Sequence, residues 1–414
     1  MSLVPGNICL DITRTVSRAG AGAPSGVDRV ERAYIRQVMK ADRSYFLSRI
    51  LGGFALLDSA GMQEFLHLAD AGDGLDPPDM LSSLGRRQTP GHKRAESTIR
   101  RLALLTVRRT RLAAMLKADM QDGFTYLTTG HSNQTAFTYS AIRAGGAHTI
   151  ATLLHDVIPL DFPEYTRPEA VPRFETQFRT MAEASDLLIH NSAYTAERAA
   201  HWLDEFGLAV PGVTALLGCD PLPLPTATAA ASPPTFVTLG TIEPRKNHLL
   251  LLNVWRRFHD TLPPEKVPHL HIVGRRGWEN ENIVDILDRA PFMGRTVFEH
   301  GFLSDEDLGA LLSSATALLF PSFVEGFGYP LVEAVQMRKP CIAADLPPFR
   351  EIAGDHVNYL DPLDGPGWAA EIMKHTEAKP DPAAADSPLP PLPSWDNHFR
   401  TVAHALAALN EGQG

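Results

Sequence analysis

Two carboxylates, Glu325 and Glu333, flank a glycine turn in the stretch PSFVEGFGYPLVE, Pro321 to Glu333. Carboxylates so placed can accept hydrogen bonds from sugar or ribose hydroxyls. Gly326 and Gly328 let the backbone approach a ligand closely. A helix with Pro330 in its first turn follows, and its free N–H groups can donate to hydroxyls or phosphate. Without further context, Glu325 could equally end a loop in solvent and Glu333 simply complement the helix dipole.

A second stretch, GTIEPRKNH, runs from Gly240 to His248. Arg245 and Lys246 stand side by side ahead of a helix that begins near Asn247, a placement suited to gripping a pyrophosphate. Two such cations can stabilise a departing nucleotide diphosphate where other enzymes use Mg²⁺. The bland alternative is a solvated pair. Asp305 and Asp307 spell DxD, an acid pair able to hold a cation on phosphates. They follow Ser304, so we read them as the capped first turn of a helix and expect no metal.

In the first half, LLHDVIPLDFP places His155 and Asp156 just beyond a strongly apolar strand, where a site residue or a turn cap would sit. LTTGHSN, Leu127 to Asn133, offers His131 and Asn133 for acceptor hydroxyls or for a helix cap. RAGAGAPSGVDR, Arg18 to Arg29, carries Gly20, Gly22 and Gly26 ahead of a helix near Ser25. Its spacing does not match GxGxxG, and a surface loop explains the glycines equally well.

These loops need elements to hold them. Apolar runs ICLD, FTYLT, TIATLLHD, DLLIHN and VTALLG alternate with helical patterns at Ser25 to Ala41 and Pro168 to Ala184, which indicates an α/β fold with parallel sheet. Downstream the rhythm is cleaner: FVTLG, LHIVG, TVFEHG, TALLF and CIAA are strands, with helices starting near Asn247, Asn280, Ser304 and Pro330. Ligands in open α/β sheets bind beyond the carboxyl ends of strands, which is where all these motifs fall. The composition breaks at PLPLPTATAAASPP, Pro221 to Pro234, which reads as a linker. The reading is therefore two doubly wound domains, 1–222 and 223–394. A helix over 395–414, reached by the connector Pro388 to Pro393, packs back on the first domain.

A length of 414 residues suits two cores. Hydrophobic content of 44% and charged content of 21% are ordinary for globular protein, and no apolar run reaches the ~20 residues that span a bilayer. The start MSLVPGNICLDITR shows no secretory pattern, so a cytoplasmic location is expected. Cys9, Cys219 and Cys341 are far apart and read as small buried hydrophobes. The net charge of −10 argues against nucleic-acid binding. The segment 86–117 opposes that charge, with Arg86, Arg87, Lys93, Arg94, Arg100, Arg101, Arg108, Arg109, Arg111 and Lys117 against Glu96 alone. Ile99, Leu102, Leu105, Leu112, Met115 and Leu116 fall at helical spacing between them. Such a helix could lie on anionic lipid at the inner face of the membrane, or pack its apolar stripe on its own domain.

SFVEGFGYPLVEA, with GTIEPRKNH ahead of it and HGFLSDEDLGALLSSA between, resembles the retaining glycosyltransferases of family 4, which have the GT-B architecture of two Rossmann-like domains facing a central cleft. The resemblance covers residues 235–362. It implies that Glu325 contacts donor-sugar hydroxyls, that Glu333 holds the donor ribose and that Arg245 and Lys246 lie on the donor phosphates. It also implies a histidine near the donor sugar, for which His155 stands. The loops GRRGW and HGFLSD would border the nucleotide base, with Arg275 or Phe302 able to stack on it. The expected site is then catalytic at Glu325, Arg245, Lys246 and His155. Donor binding falls to Gly240, Thr241, Gly274, Phe302, Gly326, Phe327, Gly328 and Glu333. Gly26, Arg29, His131 and Asp156 lie on the acceptor side.

With TIEPRKNH and LLHDVIPL resembling bacterial mannosyltransferases of surface polysaccharide synthesis, the expected donor is GDP-mannose or another nucleotide diphosphate hexose. The expected acceptor is a glycan or a lipid-linked oligosaccharide. A nucleotide-sugar epimerase or hydrolase of the same fold, or a non-catalytic nucleotide-sugar-binding protein, would share the nucleotide grip.

Overall fold

The computed structural model describes residues 3–20, 22, 24–72, 74–224, 232–378 and 389–412. Much of the linker stretch and the start of the Pro388 to Pro393 connector lie outside them. Two sheets organise the chain. The first contains β1 (Asn7–Asp11), β2 (Arg43–Ile50), β3 (Gly53–Asp58), β4 (Leu105–Arg108), β5 (Phe124–Thr128), β6 (Ala147–Leu154), β7 (Leu187–His190) and β8 (Gly212–Thr214), in the order β4-β3-β2-β1-β5-β6-β7-β8. The second contains β9 (Thr235–Leu239), β10 (His269–Val273), β11 (Val297–His300), β12 (Ala317–Phe320), β13 (Cys341–Ala344) and β14 (Asn358–Leu360), in the order β11-β10-β9-β12-β13-β14.

Every strand pair of the second sheet is parallel. Its central strands β9 and β12 are buried throughout, as strands covered by helices on both faces must be. The strand order reverses between β9 and β12, so successive crossovers leave on opposite sides and a crevice opens above those two strands. The first sheet has the same reversal between β1 and β5. It departs from the all-parallel expectation on its other flank, where β2 pairs antiparallel with β3 and β3 with β4. That hairpin has no turn dipeptide of the strong hairpin type, only Leu51 and Gly52, so its strands carry no local marker.

The basic segment is not one helix. It divides into a helix, Pro90–Leu102, the edge strand β4, and a second helix, Leu112–Asp119. Leu105 belongs to the strand and is exposed, and Leu104 ahead of it is exposed too. Ala103 ends the first helix in an extended conformation, and Leu104 N–H then donates to Leu56 O at 2.9 Å, drawing the chain onto the sheet edge. Of VTALLG, only Val213 and Thr214 pair in the sheet; Ala215 to Gly218 turn instead toward the C-terminal helix.

Three apolar clusters fill the layers. One lies against one face of the first sheet and holds Leu47, Tyr126 and Phe178; a second serves the second sheet through Phe236, Trp255 and Trp368. The third runs across the domain boundary, joining Ile8 and Tyr34 to Val237, Phe320 and Leu331, and takes in Phe399, Val402 and Leu406 of the helix Trp395–Gly412. That helix is pinned to the first domain by His398. Its Nδ1–H donates to Ala215 O at 3.0 Å, which leaves Nε2 to accept from the Tyr34 hydroxyl at 2.8 Å. Burial pushes this imidazole down to about 4, so it is neutral as that tautomer requires. All three cysteines are buried and free.

Candidate active site at the crevice between the sheets

The loops after β9 and β12 meet because those strands are neighbours at the order reversal. Phe323 N–H donates to Arg245 O at 2.8 Å and ties the loops together. Asn247 adopts a left-handed conformation, φ 56°, which asparagine tolerates better than most residues. Its side-chain amide donates to Pro321 O at 3.1 Å and to Pro362 O at 2.8 Å. The turn so made folds Arg245 and Lys246 inward rather than out to solvent.

There they meet Glu325. Arg245 Nη1 lies 2.7 Å from Glu325 Oε2, Arg245 Nε lies 2.6 Å from Glu243 Oε1, and Lys246 Nζ pairs with Glu325 Oε1. Ser322 Oγ adds a hydrogen bond to Glu325 Oε1 at 2.8 Å. Two cations and two carboxylates thus neutralise one another almost out of water. Burial acts upward on the Glu325 carboxyl, but Arg245 and Lys246 outweigh it and hold it down to about 2. Glu243 is raised, because burial exceeds the pull of Arg245. Burial lowers Lys246, and Glu325 only partly opposes this. A diphosphate entering here would find donors already aimed and stripped of water.

The first domain closes over the glycine turn. A Cβ on Gly326 would sit 2.4 Å from His155 O and 2.9 Å from Asp156 Cβ, so only glycine permits this approach. Ser192 Oγ donates to Gly326 O at 2.7 Å and Thr195 Oγ1 to the same oxygen at 3.3 Å. Ala193 N–H, at the start of the helix Ala193–Glu205, donates to both oxygens of Glu351 in the second domain, at 3.1 and 2.9 Å. Gly328, φ 129°, takes a backbone conformation open to glycine and precedes the helix Tyr329–Gln336; Phe327 beside it is buried.

His155 Nε2 lies 2.7 Å from Thr129 O, a carbonyl, so it carries the proton and leaves Nδ1 as an acceptor. Burial, with His131 adding to it, pushes the imidazole down to about 3. The His131 ring is 5.2 Å from that of His155, and burial lowers it too. Asp156 Oδ1 accepts from Ile158 N–H at 3.1 Å, as a turn cap does. Asn133 is committed elsewhere: its amide donates to buried Asp11 at 2.7 Å.

Arg29 reaches across the boundary. Its Nη1 pairs with Glu333 Oε1 and its Nη2 lies 3.1 Å from Asp305 Oδ1. Gly26, one turn earlier, faces the Tyr329 ring. Arg29 therefore touches the carboxylate expected to hold the donor, not an acceptor-side surface apart from it. Asp307 accepts from Ser304 Oγ at 2.9 Å in the first turn of the helix Asp305–Ser314. Among the described residues, no group of three or more His, Cys, Asp or Glu side chains is arranged to hold a metal ion. Gly240 and Gly274 bring the ends of β9 and β10 into backbone contact. Thr241 is exposed beside them, and Phe302 stands 54% exposed on the rim rather than in the core.

Glu243, Ser322, Ser192 and Glu351 join the site without being singled out by the sequence motifs. Glu243 was legible as an acid two residues before the cations. Ser322 lies three residues from the Glu325 it supports, within the same motif, whereas Ser192 and Glu351 act through contacts with distant chain and carry no local signal.

Two facing Rossmann-like sheets with this crevice define the GT-B fold. Solved structures agree: trehalose-6-phosphate synthase OtsA superposes with a TM-score of 0.59 at 11% identity, covering 98% of this chain and 99% of that one. Sucrose-phosphate synthase from Thermosynechococcus elongatus gives 0.56 at 16% identity, covering 99% and 98%. Residues 227–374 match the model of the family described as glycosyl transferases group 1. The serotype-specific mannosyltransferase WbdA of Escherichia coli is 32% identical over 241 residues, which is 53% of this chain and 29% of that protein. The O-antigen chain mannosyltransferase B of Escherichia coli is 26% identical over 235 residues, 54% and 60% respectively. The chain thus spans less than a third of the length of WbdA.

Proposed function

We propose that the protein is a retaining, metal-independent glycosyltransferase. It moves a hexose, mannose in the first instance, from a nucleotide diphosphate sugar to a glycan or lipid-linked oligosaccharide in bacterial polysaccharide synthesis. The carrying observation is the buried set Glu243, Arg245, Lys246 and Glu325 at the strand-order reversal, roofed by His155 of the facing domain. The names of the relatives support mannose.

In this reading the donor diphosphate takes up Arg245 and Lys246, and the sugar takes up Glu325. The bond from the anomeric carbon to the phosphate oxygen breaks as the acceptor oxygen bonds to the same face. The acceptor proton passes to the departing phosphate oxygen, whose charge the two cations stabilise. Neutral His155 offers Nδ1 as a hydrogen-bond acceptor toward the sugar, and the closed domains exclude water that would hydrolyse the donor.

The enzyme would work at the inner face of the membrane. Arg86, Arg87, Arg108, Arg109, Arg111 and Lys117 are exposed and make no ion pair among the described residues. Met80 and Leu81 on the helix Met80–Ser83, Leu84 just after it, and Leu104 and Leu105 at the edge strand β4 are exposed as well. Cations beside exposed apolar side chains suit an anionic lipid surface. Among the described residues no helix is long and apolar enough to cross a membrane.

Calorimetric titration with GDP, UDP, ADP and TDP, with and without EDTA, tests the donor grip. One binder, indifferent to EDTA, is the expected result; binding by none would sink the reading. Turnover of the nucleotide sugar without any acceptor would replace transfer with hydrolysis or epimerisation.

A further inference from the structure

We propose that Arg29 is a positioning residue that keeps Glu333 ionised and aimed, so that the clamp for the donor's ribose hydroxyls is complete only when the two domains are closed. This rests on the reading of Glu333 as the ribose-binding carboxylate.

The two residues come from different domains. Arg29 lies in the first turns of the helix Gly26–Val38, whose start is fixed by a reciprocal cap between Ser25 and Asp28. Arg14 holds Asp28 from the side at 2.7 Å. Arg29 thus projects from a rigid mount across the boundary. Glu333 stands on the helix Tyr329–Gln336 of the second domain with its side chain only 4% exposed. Among the described residues, Arg29 makes the one side-chain hydrogen bond to that carboxylate, and it engages Oε1 alone.

The other groups around Glu333 do not favour its charge. Asp305, on the helix Asp305–Ser314, is a like charge that opposes ionisation. The Cys219 thiol and the Tyr329 phenol, neutral and buried, supply no compensating cation. A buried carboxylate without a partner neutralises rather than remain charged. A neutral carboxyl is a weaker acceptor for hydroxyls than a carboxylate. Opening the domains withdraws Arg29, so Glu333 would meet the nucleotide without its counter-ion. Closure and nucleotide binding are then coupled, and each favours the other by the same factor.

The test measures GDP and UDP affinity from about pH 6 to about pH 9 for wild type, R29Q, R29K, E333Q and the R29Q/E333Q double variant, with melting curves to establish folding. Ratios to wild type at each pH cancel the titration of the nucleotide itself. E333Q should weaken binding. R29Q should weaken it roughly tenfold near neutral pH. The R29Q loss should shrink as pH rises, because Glu333 regains its charge through the raised titration that burial imposes. R29K should restore most of the affinity, and R29Q should cost little more in the E333Q background.

Unchanged binding by E333Q would remove the ribose-clamp reading itself. With E333Q weakened, a pH-independent R29Q loss that persists in the double variant would make Arg29 a plain structural bridge and overturn the proposal. Undiminished binding by R29Q would overturn it as well.

Discussion

Arg245 Nη1 and Glu325 Oε2 lie 2.7 Å apart although their residues are 80 positions apart in the chain. Each belongs to a loop that follows a strand, and the two strands, β9 and β12, are neighbours at the reversal of strand order. The pair therefore reports both the fold and the site.

Breaking the pair from one side should be costly. Glu325→Gln leaves Arg245 paired with Glu243 alone and takes from Lys246 the carboxylate it pairs with, and removing one member of a buried ion pair commonly costs about 3–5 kcal/mol. The melting temperature should fall by several degrees, and added pyrophosphate should recover part of the loss by standing in for the carboxylate. Calorimetric melting with and without pyrophosphate checks this; no recovery would argue against an anion site at these cations.

Lys246→Ala should weaken nucleoside diphosphate binding by roughly ten- to a hundredfold, the scale of one charge-assisted hydrogen bond. Glu325→Ala should remove sugar transfer while changing affinity for the free nucleotide much less. Equal effects of both variants on nucleotide affinity would contradict the division of labour between phosphate and sugar.

The acid limb of stability should carry the same cluster. The Glu325 carboxyl is held below its ordinary value, so its contribution is present above about 4.5 and is lost as pH falls toward about 2. His155, at about 3, should put no step into the pH dependence of transfer near neutrality. Denaturation followed from pH 5 to pH 2 should show this loss in wild type and a flatter profile in Glu325→Gln; a wild-type rate that steps near the ordinary histidine value of about 6.5 would contradict the buried state of His155.

Gly326→Ala places a methyl group against His155 O, where 2.4 Å is available. The domains cannot then close as observed. Transfer should fall by about a hundredfold, as for other small displacements of reacting groups, while nucleotide affinity falls by no more than the roughly tenfold expected of R29Q, because the second domain keeps its own contacts. X-ray scattering should show an expanded particle; an unchanged profile with unchanged turnover would remove closure from the mechanism.

Membrane contact should depend on the cations that make no ion pair among the described residues, of which Arg109 stacks on the Phe137 ring at 3.9 Å. Arg100 is engaged by Asp79 and Arg101 by Asp76, so neither is available to lipid. Neutralising Arg86, Arg87, Arg108, Arg109, Arg111 and Lys117 to Gln should abolish sedimentation with anionic vesicles, since each cation near such a surface contributes about 1 kcal/mol. Equal sedimentation of this variant would retire the idea.

The sequence by itself determined the parts of this protein that local chemistry encodes. Apolar runs of strand length, bounded by glycine, proline or short polar residues, marked β1, β5, β6, β7 and every strand from β9 to β13. A serine ahead of three acids marked the helix after Ser304, and the composition of GTIEPRKNH and SFVEGFGYPLVE marked the loops that carry charge. Periodicity and capping need only neighbouring residues, so a linear reading reaches them. Pairing across distance needs the fold. Only the tertiary structure decided that Glu325 binds the cations of another loop, that Asn133 serves Asp11, and that the basic segment breaks to give an edge strand. It also decided that Arg29 spans the boundary to Glu333. A long charged side chain takes whichever partner the packed elements bring within reach, and burial makes an unpaired choice too costly to persist.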